Sequence, residues 1–101
     1  MTSPEETIRT DLARVTARLE TTPIARIDRV LIEQVRAAAQ RIVDLTPDPA
    51  RPTGSRLPEV GPTALAAQLT VIVRDYLNMP TAASEDAAVA EILIDLRRSL
   101  P

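Results

Sequence analysis

The chain has 101 residues, a formal net charge of -2, and no histidine, cysteine, lysine, tryptophan or phenylalanine. It therefore lacks the side chains that most often serve as catalytic bases and nucleophiles, and it lacks the imidazole and thiolate ligands of zinc. We expect a protein that is not an enzyme and that uses no metal or cofactor. An enzyme would have to rely on carboxylate, tyrosine or hydroxyl groups, or on bound Mg²⁺.

The length of 101 residues is close to the usual size of one domain, so we expect a single helical domain spanning residues 1–101. Apolar residues make up 45% of the chain and charged residues 26%, with both signs interspersed, which is typical of globular proteins. The N-terminus is polar and acidic, unlike a secretory signal, and the longest mostly apolar run, 64–73, is about half the length of a membrane span. We expect a cytoplasmic protein. All 12 basic residues are arginine, which indicates a GC-rich bacterial or phage coding sequence.

The first predicted helix covers about residues 4–20. Ser3 is a suitable N-cap, Pro4 suits the first helical position, and Glu6 is placed to complete a capping box. Apolar residues then recur at steps of four, three and four, as on one face of an amphipathic helix: Ile8, Leu12, Val15 and Leu19. Thr22 and Pro23 end this helix and are expected to begin the next one, so that the two form a hairpin.

The second helix is predicted to run from about 23 to 45. Its main apolar stripe has a period close to 3.6 residues and consists of Ile24, Ile27, Leu31, Val35, Ala38, Ile42 and Leu45. Further apolar residues, including Val30, widen this stripe. We therefore expect this helix to contact more than one neighbour, as in a bundle.

A loop rich in proline and glycine is predicted over residues 46–62, because five prolines and both glycines of the chain fall there. Its length exceeds the usual limit of roughly 12 to 15 residues, so we expect it to be functional, disordered or a strap across the bundle. Leu57 and Val60 are expected to fix its end to the core. Pro49 and Pro52 have the spacing of a polyproline ligand, although a plain linker is the favoured interpretation.

Two more helices are predicted over about 63–79 and 84–99. The third is apolar around nearly its whole circumference, which is typical of a helix that is buried on several sides. The fourth begins with acidic residues after Ser84 and ends with Arg97 and Arg98, in keeping with the helix dipole. The sequence therefore predicts an all-α fold, a small four-helix bundle built from two helical hairpins joined by the proline-rich crossover loop.

The third helix is also a candidate contact surface. Its apolar surface is wider than one neighbouring helix requires, so we expect self-association or docking of a partner through Leu69, Val73, Tyr76 and Leu77. Tyr76 is the expected anchor, because it combines an apolar ring with a hydroxyl group. An interpretation of equal weight is that this helix is simply the central core helix.

A basic surface is the second candidate site. An anion or nucleic-acid contact would use arginines of the second helix and the loop, namely Arg26, Arg29, Arg36, Arg51 and Arg56. Acidic residues alternate with these arginines, and Glu33 follows Arg29 at the spacing of a surface pair on a helix. A solvated surface is therefore the favoured interpretation, and we do not expect nucleic acid as the main partner.

The remaining charged pairs are interpreted as structural. Glu91 and Asp95 share one helix face, where exposed charge is favoured over a Mg²⁺ site. Arg74 and Asp75 lie on the apolar third helix, so an ion pair between helices or across an interface is expected to satisfy them.

Together with the absence of histidine, cysteine and lysine, these surfaces predict a non-catalytic helical protein that acts through protein–protein contacts. We expect an adaptor or assembly component that forms a homodimer and binds no membrane. The alternative is a small DNA-associated regulator that uses arginines of the second helix or of the 46–62 loop.

Overall fold

A computed structural model describes residues 3–46, 56–80 and 83–100 of the chain. Its four α-helices are α1 (Pro4–Thr21), α2 (Arg29–Leu45), α3 (Leu65–Leu77) and α4 (Ala83–Ser99), with short 3₁₀ turns at Ile24–Arg26 and Pro62–Ala64. The predicted all-α fold, a small four-helix bundle, is confirmed. None of the helices in the described ranges combines the length and the apolar character that crossing a membrane would require.

The start of α1 matches the signals in the sequence. The Ser3 hydroxyl accepts a hydrogen bond from the backbone N–H of Glu6 at 3.2 Å, and Pro4 occupies the first helical position. Proline fits there because an opening turn leaves that N–H unpaired in any case. The Glu5 carboxylate also pairs with Arg9 one turn later, at 3.0 Å. Local chemistry therefore determines where this helix begins.

The start of α2 corrects the sequence prediction, which placed it near Pro23. The helix begins at Arg29, and the Asp28 carboxylate caps it by accepting the backbone N–H of Leu31 at 2.9 Å. The backbone of Asp28 is extended, with φ -86° and ψ 177°, as is usual for an N-cap residue, and this conformation interrupts the helix before Arg29. As a result Ile24 lies on a 3₁₀ turn and is 61% exposed, whereas Ile27 is buried.

The main helix contacts join the first half of the chain to the second. Helix α1 packs against α4 and α3, and α2 packs against α3 and α4, so the main contacts join helices of different predicted hairpins. The two halves therefore interlock and share one core, which includes the fully buried side chains of Ile8, Ile42, Leu65, Leu69 and Leu93. The radius of gyration is 13.2 Å, close to the roughly 13 Å of a compact 100-residue domain.

Two polar contacts tie α4 into this core. The guanidinium of Arg97 donates from Nε to the Asp11 carboxylate at 2.6 Å, which links α4 to α1. The hydroxyl of Tyr76 donates to the Asp86 carboxylate at 2.6 Å, which links α3 to α4. Asp11 and Tyr76 are both buried, so these contacts satisfy polar groups that water does not reach.

Candidate protein-binding groove

The segment that leads into α3 is held against the bundle by side chains of α2 and α3. Arg36 donates to the Leu57 carbonyl at 3.2 Å and to the Glu59 carboxylate at 3.3 Å. Gln40 accepts the Leu57 backbone N–H at 3.0 Å, and Gln68 donates to the Pro58 carbonyl at 3.0 Å. Residues 57–60 therefore form a strap across α2 and α3, with Leu57 packed against the core as expected.

A groove of about 520 Å³ lies between this strap, the end of α2 and one face of α3. Most of the side chains that line it are apolar, among them Val43, Leu57, Val60, Ala64, Val71 and Ile72. Its volume falls within the ~300–1,000 Å³ of typical small-molecule pockets, which are likewise mostly apolar with a few polar groups. Val71 is 57% exposed inside this groove, so a large apolar side chain faces solvent there.

Two charges of opposite sign border the groove. Arg56 and Asp75 both line it, and both are exposed. Neither takes part in an ion pair or a side-chain hydrogen bond within the parts of the chain that are described. The ion pair expected for Asp75 is therefore not formed between the described helices, and the groove offers an apolar floor with one anion and one cation beside it.

The residues predicted as a contact surface lie mostly in the core. Leu69, Val73 and Tyr76 are completely buried, and Leu77 is half-buried against them. Helix α3 is enclosed there because α1 and α2 both pack against it. These four residues thus fit the interpretation of α3 as a central core helix, and the surface it leaves free includes Val71.

The predicted basic residues do not form one open cationic surface. Arg29 forms an ion pair with Glu33, with 3.4 Å between Nε and Oε1, and Arg36 donates a hydrogen bond to the Leu57 carbonyl of the strap. Arg26 is exposed on the turn before α2, whereas Arg56 lies at the groove. Arg51 falls outside the described residues, as does the polyproline motif at 49–52.

Two features, one in the core and one in the groove, were missed in the sequence, although their signals are present. Asp11 lies three residues after Ile8 and four before Val15, which places its carboxylate on the apolar face of α1. A charge inside such a stripe indicates a buried ion pair. Val71 lies four residues after Ala67, so the two share one face of α3, and the fully buried Leu69 lies on a different face. The spacing of Ala67 and Val71 therefore indicates a second apolar face on this helix.

The groups at the groove are suited to binding. The polar residues of its lining are Thr46, whose hydroxyl donates to the Ile42 carbonyl, Gln68, whose amide donates to the Pro58 carbonyl, and the two charged side chains. Within the described ranges, no three acidic side chains come together in a way that could hold a metal ion, and Glu91 and Asp95 are both exposed. Comparison of the chain with protein-family models, with curated proteins and with solved structures finds no match.

Proposed function

We propose that this chain is a non-catalytic helical interaction protein, an adaptor or assembly component that binds another protein segment in the groove beside α3. The observation that carries the proposal is Val71, which is 57% exposed although α3 also supplies fully buried residues to the core. Fully burying an exposed valine contributes about 1.5 kcal/mol, so covering the 57% of Val71 that is exposed contributes on the order of 0.9 kcal/mol of binding energy.

The form of the groove favours a protein segment over other ligands. Its rim carries both a guanidinium and a carboxylate, and a polypeptide can supply a partner for each within a few residues. The strap is fixed by hydrogen bonds to Arg36, Gln40 and Gln68, so this wall is already ordered before binding. A preordered surface loses little conformational entropy when the partner binds, which raises affinity.

The alternative function, a DNA-associated regulator, has weaker support. The net charge is -2, and two of the arginines it would use are engaged by the carboxylates of Glu33 and Glu59. Binding to duplex DNA gains most of its strength from unpaired cations that neutralise phosphates. A mobility-shift assay at low salt tests this alternative, and a shift that weakens as salt is added would favour it over protein binding.

A pair of matched substitutions tests the proposed function. Ala67 lines the groove and Ala17 lies on α1, and both are exposed helical alanines. Ala67→Glu places a charge in the groove, whereas Ala17→Glu makes the same change, with the same helix propensity, away from it. We expect protein captured by the immobilised wild-type chain to be retained by Ala17→Glu and lost with Ala67→Glu.

Circular dichroism should show that both variants keep the helical content of the wild type, because neither alanine is in the core. Equal retention of bound proteins by the two variants would contradict the proposal, since the groove would then contribute nothing to the recognition of those proteins.

A further inference from the structure

Large hydrophobic side chains are exposed at three positions in the described parts of the chain. Ile24 is 61% exposed, Val30 is 62% exposed and Val71 is 57% exposed. Val71 lies in the groove, whereas the other two belong to residues 24–30. This segment, called the 24–30 turn below, consists of the connection after α1 together with the first two residues of α2. The same chain therefore has an apolar groove and, at residues 24–30, a segment with two solvent-exposed apolar side chains.

The 24–30 turn is fixed in the conformation that exposes these side chains. The backbone N–H of Arg26 donates to the Pro23 carbonyl at 2.8 Å, and that of Ile27 donates to the Ile24 carbonyl at 3.0 Å. Ile27 is buried, and Asp28 caps α2, so the turn is anchored at its centre and at its end. Such a segment can bind without first becoming ordered.

The charges on the turn complement those at the groove. Arg26 and Asp28 are exposed on the turn, and Asp75 and Arg56 are exposed at the groove. Asp28 uses one carboxylate oxygen as the cap of α2, which leaves the other oxygen able to accept a further bond. Arg26, like the two groove charges, makes no ion pair among the residues that the structure describes. Each surface thus presents one cation and one anion to match the other.

We infer that the groove of one copy of this chain receives the 24–30 turn of a second copy. Ile24 and Val30 contact Val71 and the apolar lining, Arg26 pairs with Asp75, and Asp28 pairs with Arg56. The inference rests on the proposed function, because it names the protein segment that fills the same groove. The contact covers the three exposed large hydrophobic residues at once.

The contact is small, so association depends on protein concentration. Stable interfaces use about 20–30 residues on each side, and a turn of seven residues is smaller than that class. Sedimentation velocity up to roughly 1 mM protein detects association with dissociation constants as weak as about 1 mM. We expect the average mass of the wild type to rise above that of the monomer over this range.

Two complementary variants distinguish this contact from any other. Val71→Glu damages the groove and leaves the turn intact, whereas Ile24→Glu damages the turn and leaves the groove intact. Both side chains are exposed, so both variants are expected to fold as the wild type does. Each variant alone should associate at least about 10-fold more weakly than the wild type, while Ala17→Glu should associate like the wild type.

An equimolar mixture of the two variants gives the decisive result. The intact turn of the Val71→Glu chain fits the intact groove of the Ile24→Glu chain, so mixing should restore association that neither variant shows alone. A second pair tests the charges: Asp75→Arg and Arg26→Asp should each weaken association, and the double variant should regain most of it.

A mixture that stays monomeric overturns the inference, as does a wild type that is monomeric at every concentration. Either outcome would exclude the turn of a second copy as the occupant of the groove, and the comparison of Ala67→Glu with Ala17→Glu would still decide the proposed function. If that comparison shows no difference in captured protein although the mixture associates, the inference holds and recognition of a different protein through the groove fails.

Discussion

Replacing Arg97 with methionine tests the ion pair that joins α4 to α1. The substitution keeps an apolar stem of similar length but removes the guanidinium that donates to Asp11 at 2.6 Å. The Asp11 side chain is only 6% exposed, so its carboxylate would lose this donor in a place that water hardly reaches. The variant therefore measures the cost of leaving a buried carboxylate without its cation.

The expected destabilisation is about 3 kcal/mol. Removing one partner of a buried ion pair costs about 3–5 kcal/mol, and the lower value applies because the Arg97 side chain is 33% exposed and water can enter beside it. Asp11→Ala should cost less, about 1–2 kcal/mol, since the remaining guanidinium can be hydrated. In the double variant Asp11→Leu/Arg97→Met, both charges are replaced by apolar groups, and stability should return to within about 1 kcal/mol of the wild type.

Urea unfolding followed by circular dichroism at the helix band measures these differences, because the chain has no tryptophan to serve as a fluorescence probe. For a domain of this size 3 kcal/mol corresponds to a fall of about 12–24 °C in Tm. An Arg97→Met variant within about 0.5 kcal/mol of the wild type would refute the reasoning. A double variant no more stable than Arg97→Met would refute it equally, since the loss would then arise from packing.

The same unfolding assay checks three further predictions. Leu69→Ala should cost about 2–5 kcal/mol, because this side chain is fully buried, and a cost below about 1 kcal/mol would place it outside the core. Tyr76→Phe should cost about 1–2 kcal/mol through loss of the bond to Asp86, and an unchanged stability would show that bond to be unimportant. Asp28→Ala should cost about 1 kcal/mol by removing the α2 cap, whereas Asp28→Asn, which still caps, should cost less.

The ends of some helices follow from the sequence and others do not, for physical reasons. Helix α1 begins where Ser3 and Pro4 predict, because capping and the missing proline N–H act within one turn. Helix α2 begins at Arg29, six residues after the predicted start at about residue 23. Apolar periodicity continues through the 3₁₀ turn, so only the capping preference of Asp28 marks the true start.

The neighbours of each helix are harder to predict than the helices themselves. A wide apolar surface on α3 predicts burial on several sides, and Leu69 and Tyr76 are indeed fully buried. The stripe does not specify which helices cover it, because α1 and α2 are both apolar on one face. The sequence is therefore equally compatible with α3 as a contact surface and with α3 as a core helix. In the structure α1 and α2 both pack against α3, and this packing places Leu69 and Tyr76 in the core.

The groove depends on contacts between residues far apart in the chain. The strap that forms one wall is held by hydrogen bonds of Arg36 and Gln40 to the backbone of Leu57. These two residues are 21 and 17 positions away from Leu57 in the sequence. Nothing in the local sequence pairs these side chains, although Leu57 was expected to reach the core. The groove could therefore be recognised only once α2, the strap and α3 were placed together.

Methyl NMR spectra recorded at increasing protein concentration test the central claim most directly. Val71 lies in the groove and Ile24 on the turn, whereas Val15 and Val89 are fully buried in the core. We predict that the methyl resonances of Val71 and Ile24 move together as concentration rises, while those of Val15 and Val89 stay in place. Resonances of Val71 and Ile24 that do not move, or shifts confined to α1 and α4, would contradict a protein-binding groove that receives a second copy of the chain.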